Sequence, residues 1–232
     1  MASRPRVFLD VDIGGHRAAY ALACEFVAAS SLKYGLSSSD LSKLGGSERA
    51  RIPELFESDF SFKGRGRIEL SPAPHERLII ELFEDLAPNA CKNFQLLCTG
   101  EKGKAKGSGL PLSYCGSRLH RLLPGSFIQG GDFVFGNGSG GESVWGGVFK
   151  DEPSALKIKL DARGLVAMSN TGKNSNGSQF FITLAPLPKI NGKHVVFGRV
   201  VAGLEVLDAI ERVEAPGEVP AQEILVAECG AV

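Results

Sequence analysis

A mainly β domain, built as an antiparallel barrel or sandwich and interrupted by a helical insertion, is what these 232 residues predict. Three observations carry that expectation. Short apolar runs rich in β-branched and aromatic residues recur with turn signals between them, the pattern of many short strands. Glycine and proline are abundant, 29 and 12 residues, and 14 of the glycines fall between Gly100 and Gly147, so loops dominate that stretch. From about Gly15 to Glu76 the pattern changes to helical spacing.

In chain order, Val7 to Val11 is the first strand; the charges of Asp10 and Asp12 exclude a signal peptide there. Leu22, Phe26, Ala29, Leu32 and Leu36 then recur at helical spacing. Ser37-Ser38-Ser39-Asp40 offers an N-cap for a short second helix, and Pro53-Glu54-Leu55-Phe56 opens a third. The insertion closes in Lys63-Gly64-Arg65-Gly66-Arg67 and Ser71-Pro72-Ala73-Pro74, which read as surface connections. Further strands are expected at Leu78 to Phe83, Ser126 to Gln129, Gly164 to Met168, Gln179 to Leu184, His194 to Val200 and Ile224 to Ala227. Two helices interrupt them: Ala87 to Cys98, with Pro88 in its first turn, and Leu204 to Val213, with an apolar stripe of Leu204, Leu207, Ala209 and Ile210. Asn191-Gly192 reads as a type I′ hairpin turn, because both residues tolerate positive φ.

Composition excludes several functions. Lys plus Arg and Asp plus Glu are both 26, and no block of like charge could grip nucleic acid or an anionic bilayer. The longest apolar run, Ala18 to Ala29, contains Glu25 and falls short of the roughly 20 residues a membrane span needs. Five cysteines, at 24, 91, 98, 115 and 229, form no CxxC pair and no zinc spacing, which predicts a reduced, cytoplasmic protein. Gly136, Gly138 and Gly141 match a dinucleotide fingerprint, but the following Glu142-Ser143-Val144-Trp145-Gly146-Gly147 cannot extend a helix, so a surface loop is the better reading. No catalytic triad, HExxH or EF-hand loop can be assembled. On these grounds alone, His194 is a strand-edge histidine and Arg121 a solvated charge.

Longer strings change the reading. Val7-Phe8-Leu9-Asp10, Glu81-Leu82-Phe83, Asn93-Phe94, Thr99-Gly100-Glu101-Lys102-Gly103, His120-Arg121-Leu122-Leu123-Pro124-Gly125, Gln129-Gly130-Gly131-Asp132-Phe133, Asn176-Gly177-Ser178-Gln179-Phe180-Phe181-Ile182 and Gly192-Lys193-His194-Val195-Val196-Phe197-Gly198 stand in the order of the cyclophilins. The chain thus resembles a family of peptidyl-prolyl cis-trans isomerases over residues 7–14 and 77–230, about 70% of its length. The resemblance implies an eight-stranded antiparallel barrel capped by two helices, formed by 1–15 and 77–232. Residues 16–76 become a helical insertion between the first two strands, with no counterpart.

The resemblance also implies an activity: isomerisation of X-Pro bonds in polypeptides, assisting folding or switching, by a monomer without cofactor or metal. It assigns catalysis to Arg121, Gln129, Phe181 and His194. Phe127, Gly138, Asn170 (through its backbone), Gln179 and Ile190 would bind the substrate. A weakly active or inactive proline-peptide-binding module, whose insertion 16–76 recruits a protein partner, is the alternative. Departures from the family keep it open. Ser126 stands where Phe is usual, so one aromatic wall of the proline pocket is absent, and Phe127 stands where Met is usual. Lys189 occupies the position of a Trp that hydrogen-bonds cyclosporin, which argues against drug binding. Ser169 and Thr171 replace smaller residues and narrow the adjoining groove. The stretch Lys104 to Tyr114 is similar to the long loop of the divergent-loop subgroup. By that likeness Cys98 and Cys229 are either a redox pair or two inert buried thiols, and Glu152 is the loop's anchoring glutamate.

Overall fold

The structure, a computed structural model, describes residues 4–73 and 77–232. In chain order its elements are β1 (Arg6–Ile13), α1 (His16–Tyr34), α2 (Gly46–Ser58), β2 (Arg77–Leu82), α3 (Pro88–Thr99), β3 (Arg121–Leu123), β4 (Phe127–Gly130), α4 (Pro153–Leu156), β5 (Leu165–Met168), β6 (Phe180–Thr183), β7 (Val196–Ala202), α5 (Leu204–Glu211) and β8 (Ile224–Ala231). Short 3-10 turns occupy Leu41–Lys43, Pro188–Ile190 and Pro216–Glu218. The described residues divide into two compact units, one holding the strands with α3, α4 and α5, the other beginning at Gly15 and holding α1 and α2. Among the described residues no helix is long and apolar enough to cross a membrane.

Period-two alternation builds the sheet. Val7, Leu9 and Val11 of β1 and Leu78, Ile80 and Leu82 of β2 are buried, and Val7 pairs opposite Ile80 as Leu9 does opposite Leu78. The strand order is β3-β4-β6-β5-β7-β2-β1-β8, antiparallel throughout. The chain just before β3 joins the two edges: Gly116 N donates to Val226 O, Leu119 N to Ile224 O, and Val226 N to Ser117 O, at 2.7, 2.8 and 2.9 Å. Arg118 bridges both Asp132 and Leu225. The sheet is therefore the eight-stranded antiparallel barrel that the resemblance implies. β3 is too short for periodicity to disclose.

The barrel interior takes Leu122, Ile128, Val166, Ile182 and Phe197 together with Phe94 and Leu97 of α3 and Val206, Leu207 and Ile210 of α5. Phe94 sits at its aromatic centre, with ring centroids 5.0 to 5.1 Å from Tyr114, Phe180 and Phe197. Each such burial stabilises by about 1.5–3 kcal/mol relative to exposure. Gly100 ends α3 in the left-handed region, φ 71, its amide bonded to Leu96 O at 2.9 Å.

Three expectations need correction. Asn191-Gly192 is not a type I′ hairpin: Asn191 has φ −52, ψ 138 and Gly192 φ 76, the signature of a type II turn. β6 and β7 do not pair, since β5 lies between them, and the Asn191 side chain is instead spent on the Leu160 amide, 2.8 Å away. Pro53 does not open the third helix; α2 begins at Gly46, where Glu48 reaches back to the Gly45 amide at 3.2 Å, and Pro53 lies inside. The buried face of α1 is Ala19, Ala23, Phe26, Val27, Ser30 and Ser31, rotated from the expected stripe, so that Ala29 and Leu32 face solvent. The rotation is affordable because Ser30 Oγ donates to Phe26 O at 2.6 Å, leaving no orphan hydroxyl. Asp40 does cap the 3-10 turn Leu41–Lys43, accepting from Ser42 N at 2.9 Å.

Candidate active site

Strand register builds one row of side chains. Arg121 of β3 lies opposite Gln129 of β4, Gln129 opposite Phe181 of β6, Phe181 opposite Ala167 of β5, and Ala167 opposite Val196 of β7. Residues directly opposite share a face, and their neighbours along each strand take the other. Those neighbours, Leu122, Ile128, Ile182 and Val166, fill the barrel core, so the row lies on the outer face. It passes from a guanidinium through an amide to an aromatic ring and then to aliphatic side chains.

At the polar end Arg121 Nε donates to Glu218 Oε2 at 2.6 Å, and a terminal nitrogen reaches Gln129 Oε1 at 3.4 Å. Gln129 Nε2 donates to Gln179 Oε1 at 2.9 Å, and Gln179 Nε2 to the carbonyls of Gly138 and Gly140 at 2.9 and 2.8 Å. Carbonyls only accept, so Gln179 must turn its nitrogen to them, which orients Gln129 and presents an oxygen to Arg121. The loop supplying those carbonyls is wound around Asp132, whose carboxylate accepts the amides of Val134, Phe135, Asn137, Gly138 and Gly140. Burial raises the Asp132 carboxyl, but these amides outweigh it and hold the group below its usual range. The amides of the glycine-rich segment are thus committed to the protein's own anion, which explains why its fingerprint spacing makes no nucleotide cradle. Gly138 is required here: its φ is 91, and a Cβ would stand 2.9 Å from His120 Nε2.

At the apolar end Phe181, 4% exposed, packs with Phe83, Leu160, Ala167 and Val196, and Phe127, Leu187 and Ile190 lie against them. The rings of Phe127 and Phe181 are 5.5 Å apart, and Arg121 Cζ is 5.1 Å from the Phe127 centroid. His194 meets Phe181 edge to face at 5.1 Å. Its Nδ1 lies 3.1 Å from Met168 O; a carbonyl can only accept, so Nδ1 carries the hydrogen and Nε2 a free lone pair. Burial pushes the imidazole below its ordinary pKa, so it is neutral at pH 7.

Arg121, Gln129, Gly138, Asn170 and Gln179 line one cleft of about 370 Å³, with Ser169 and Thr171 on its rim. Phe127, Phe181, Ile190 and His194 do not line it; they form the aromatic cluster at the other end of the row. The Asn170 side chain donates to Lys193 O at 3.2 Å and to Asn176 Oδ1 at 3.4 Å. Ser126 ends a Pro124-Gly125 turn and contributes backbone, its carbonyl accepting from Leu184 N at 2.7 Å. Lys189 is exposed on the 3-10 turn Pro188–Ile190.

Glu152 does not anchor the long loop. Its carboxylate accepts Asn89 N and Ala90 N at 2.7 and 3.0 Å, because α3 starts at Ala87-Pro88 without a capping side chain. The loop is held instead by Glu142, which accepts from Ser108 N at 3.2 Å and Gly107 N at 3.4 Å. Cys98 and Cys229 are free thiols hydrogen-bonded to each other; complete burial pushes Cys98 well above its ordinary pKa, while the hydrogen bond with Cys98 draws Cys229 below its own. Glu142 and Glu218 escaped the sequence reading; Glu218 is 97 positions from the arginine it binds, and no local signal marks it. Among the described residues no three His, Cys, Asp or Glu side chains stand close enough to hold a metal ion.

Comparison with known proteins places most of the chain in one family. The model of the cyclophilin type peptidyl-prolyl cis-trans isomerase/CLD family matches residues 67–231. The match omits β1, which the structure nonetheless seats between β2 and β8. NK-tumor recognition proteins of Mus musculus and Homo sapiens are each 48% identical to this chain over 164 residues, 70% of its length. The chain spans only 11% of the length of these relatives. A family match over most of the chain, on a barrel with the register described above, means that this protein belongs to the cyclophilin-type peptidyl-prolyl cis-trans isomerase family.

Proposed function

We propose that the chain catalyses cis-trans isomerisation of X-Pro bonds in polypeptides, with Arg121, Gln129, Phe181 and His194 as its catalytic group. The observation that carries the reading is the cross-strand row, which sets a fixed guanidinium beside an apolar, aromatic surface. Rotation about a peptide bond is opposed by about 18–20 kcal/mol because conjugation stiffens the C–N bond. A donor directed at the prolyl nitrogen favours its pyramidal lone pair over conjugation, and every ~1.4 kcal/mol so gained is a tenfold rate. Arginine suits the task, being charged at any working pH and planar. The proline ring would rest on Phe181, Phe127 and Ile190, while Gln129, the Asn170 backbone, Gln179 and His194 Nε2 take up the substrate's backbone groups. Buried amides without partners are costly, so these polar groups fix the register of the chain being turned.

In an X-Pro peptide isomerisation assay, Arg121→Ala is expected to lower kcat/KM by about 10²-fold, the scale of losing one electrostatic donor, with the melting temperature unchanged. An unchanged rate refutes the mechanism. Ser126 favours a second reading, a proline-peptide-binding module, since its side chain supplies no aromatic wall; retention of such peptides by the wild-type chain without turnover would establish it. The insertion is proposed to recruit a protein partner, a role supported by Leu32 and Phe60, which are 99% and 98% exposed.

A further inference from the structure

We propose that Glu218 is a positioning residue for Arg121, holding the Nε edge of the guanidinium so that its terminal nitrogens remain available to Gln129 and to substrate; the inference rests on the isomerase reading above. The Nε–Oε2 separation is 2.6 Å, a short charge-assisted bond, whereas the only other polar side-chain contact of Arg121 described here is the 3.4 Å approach to Gln129. Glu218 is therefore the firmer of the two restraints on a long, rotamer-rich side chain.

The backbone at Glu218 points the same way. Its φ is 67, in the left-handed region that glycine favours, and it follows Gly217 at φ 63. Only Asn174 shares this feature among the described non-glycine residues. The one backbone bond here, Glu218 N to Ala215 O at 3.1 Å, would survive in glycine, so local structure does not call for a glutamate. Nor does stability: the two side chains are 45% and 41% exposed, where an ion pair contributes little to folding. A strained residue whose side chain gives little stability is a candidate for use in function. The carboxylate also opposes the positive charge that catalysis needs. At this exposure the opposition is screened, while small displacements of a catalytic group are expensive, so positioning outweighs neutralisation.

Kinetics of the wild-type chain, Glu218→Gly, Glu218→Gln and Arg121→Ala, with the Arg121→Ala/Glu218→Gly double variant, decide the matter. Glu218→Gly relieves the left-handed strain while removing the bond. It should melt at or above the wild-type temperature, yet lose about tenfold in kcat, with a smaller change in KM. Stability and activity moving in opposite directions is a result no purely structural role gives. Glu218→Gln keeps an accepting oxygen and should retain about half the wild-type rate or more. In the Arg121→Ala background, Glu218→Gly should have no further effect. A Glu218→Gly rate equal to or above wild type, or the same loss without Arg121, overturns the proposal and leaves the isomerase reading standing. A wild-type chain that turns over no X-Pro peptide removes that reading, and this inference with it.

Discussion

Asp59 in the inserted unit and Gln129 on the barrel are both nearly buried polar side chains, 3% and 9% exposed, yet they are satisfied in opposite ways. Asp59 is a closed knot. It accepts from Lys33 Nζ at 2.9 Å, Tyr34 Oη at 2.8 Å and Ser61 N at 2.8 Å, tying the end of α1 to the end of α2. These donors hold its carboxyl at about 2. Gln129 is one link in an open series that ends at Arg121, an arginine lining a cleft. A polar group whose partners all come from the protein stabilises the fold, while a series left open at one end can act on another molecule. The barrel holds the second kind, and the described part of the inserted unit is organised around the first.

The same truncation in both regions should separate them most clearly. Phe26 in the inserted unit lies 5.4 Å from Phe56 and 5.1 Å from Phe62, as Phe94 lies 5.0 Å from Phe180 and Phe197 in the barrel. Each Phe→Ala change should cost about 3–5 kcal/mol where it is made. Phe94→Ala should lower the melting temperature of the barrel and abolish isomerisation with it. Phe26→Ala should expose α1 and α2 to limited proteolysis and leave turnover intact. If Phe26→Ala abolishes turnover as well, the site is not confined to the barrel.

Acidification sharpens the contrast by a smaller amount. Burial pushes His120 and His194, both in the barrel, below the ordinary histidine value. Between the unfolded value of about 6.5 and the lower folded value, the unfolded chain binds more protons, so stability is complete above about pH 6.5 and is lost as pH falls. Asp59, at about 2 against an ordinary 3.8, keeps its contribution until pH falls below that ordinary value. Melts monitored by circular dichroism, with proteolysis to report on each region, should show the barrel weakening between about pH 6.5 and pH 4 while α1 and α2 stay protected. Loss of protection in α1 and α2 first would reverse the assignment.

What the residues disclosed depended on how far apart the interacting groups stand. The apolar runs around Phe127-Ile128-Gln129 and Phe180-Phe181-Ile182 are local and mark strands, but which side chain faces the core is decided by the register, which sends Ile128, Phe180 and Ile182 inward and Phe127 and Phe181 to the other face. The row itself needs the order β3-β4-β6-β5, in which the chain skips a strand and returns, and no single segment encodes that. Asn191-Gly192 misled for the same reason, since a turn dipeptide says nothing about whether its flanking strands pair. Arg121, Gln129, Phe181 and His194 are assigned by resemblance; the register sets the first three in one row and His194 meets Phe181, a juxtaposition that no local pattern discloses. Glu218 lacked even a resemblance to mark it.

Leu32 is where the helical pattern and the fold disagree most sharply, and the smallest expected effect tests that disagreement. Helical spacing placed it in the apolar stripe with Phe26, whereas the helix buries Ser30 and Ser31 in its stead and leaves Leu32 99% exposed. The exchange is physically reasonable only because each buried serine is small and the Ser30 hydroxyl is satisfied within its own helix. Leu32→Gln should therefore change the stability of the inserted unit by no more than about 0.5 kcal/mol, as surface substitutions do. Ser30→Leu, by contrast, forces a larger side chain into a packed face and should cost about 1–3 kcal/mol. Chemical denaturation followed by proteolysis within α1 measures both. A loss of about 2 kcal/mol or more in Leu32→Gln, with Ser30→Leu tolerated, would mean that the helix is turned as its periodicity first indicated, and that the serines face water.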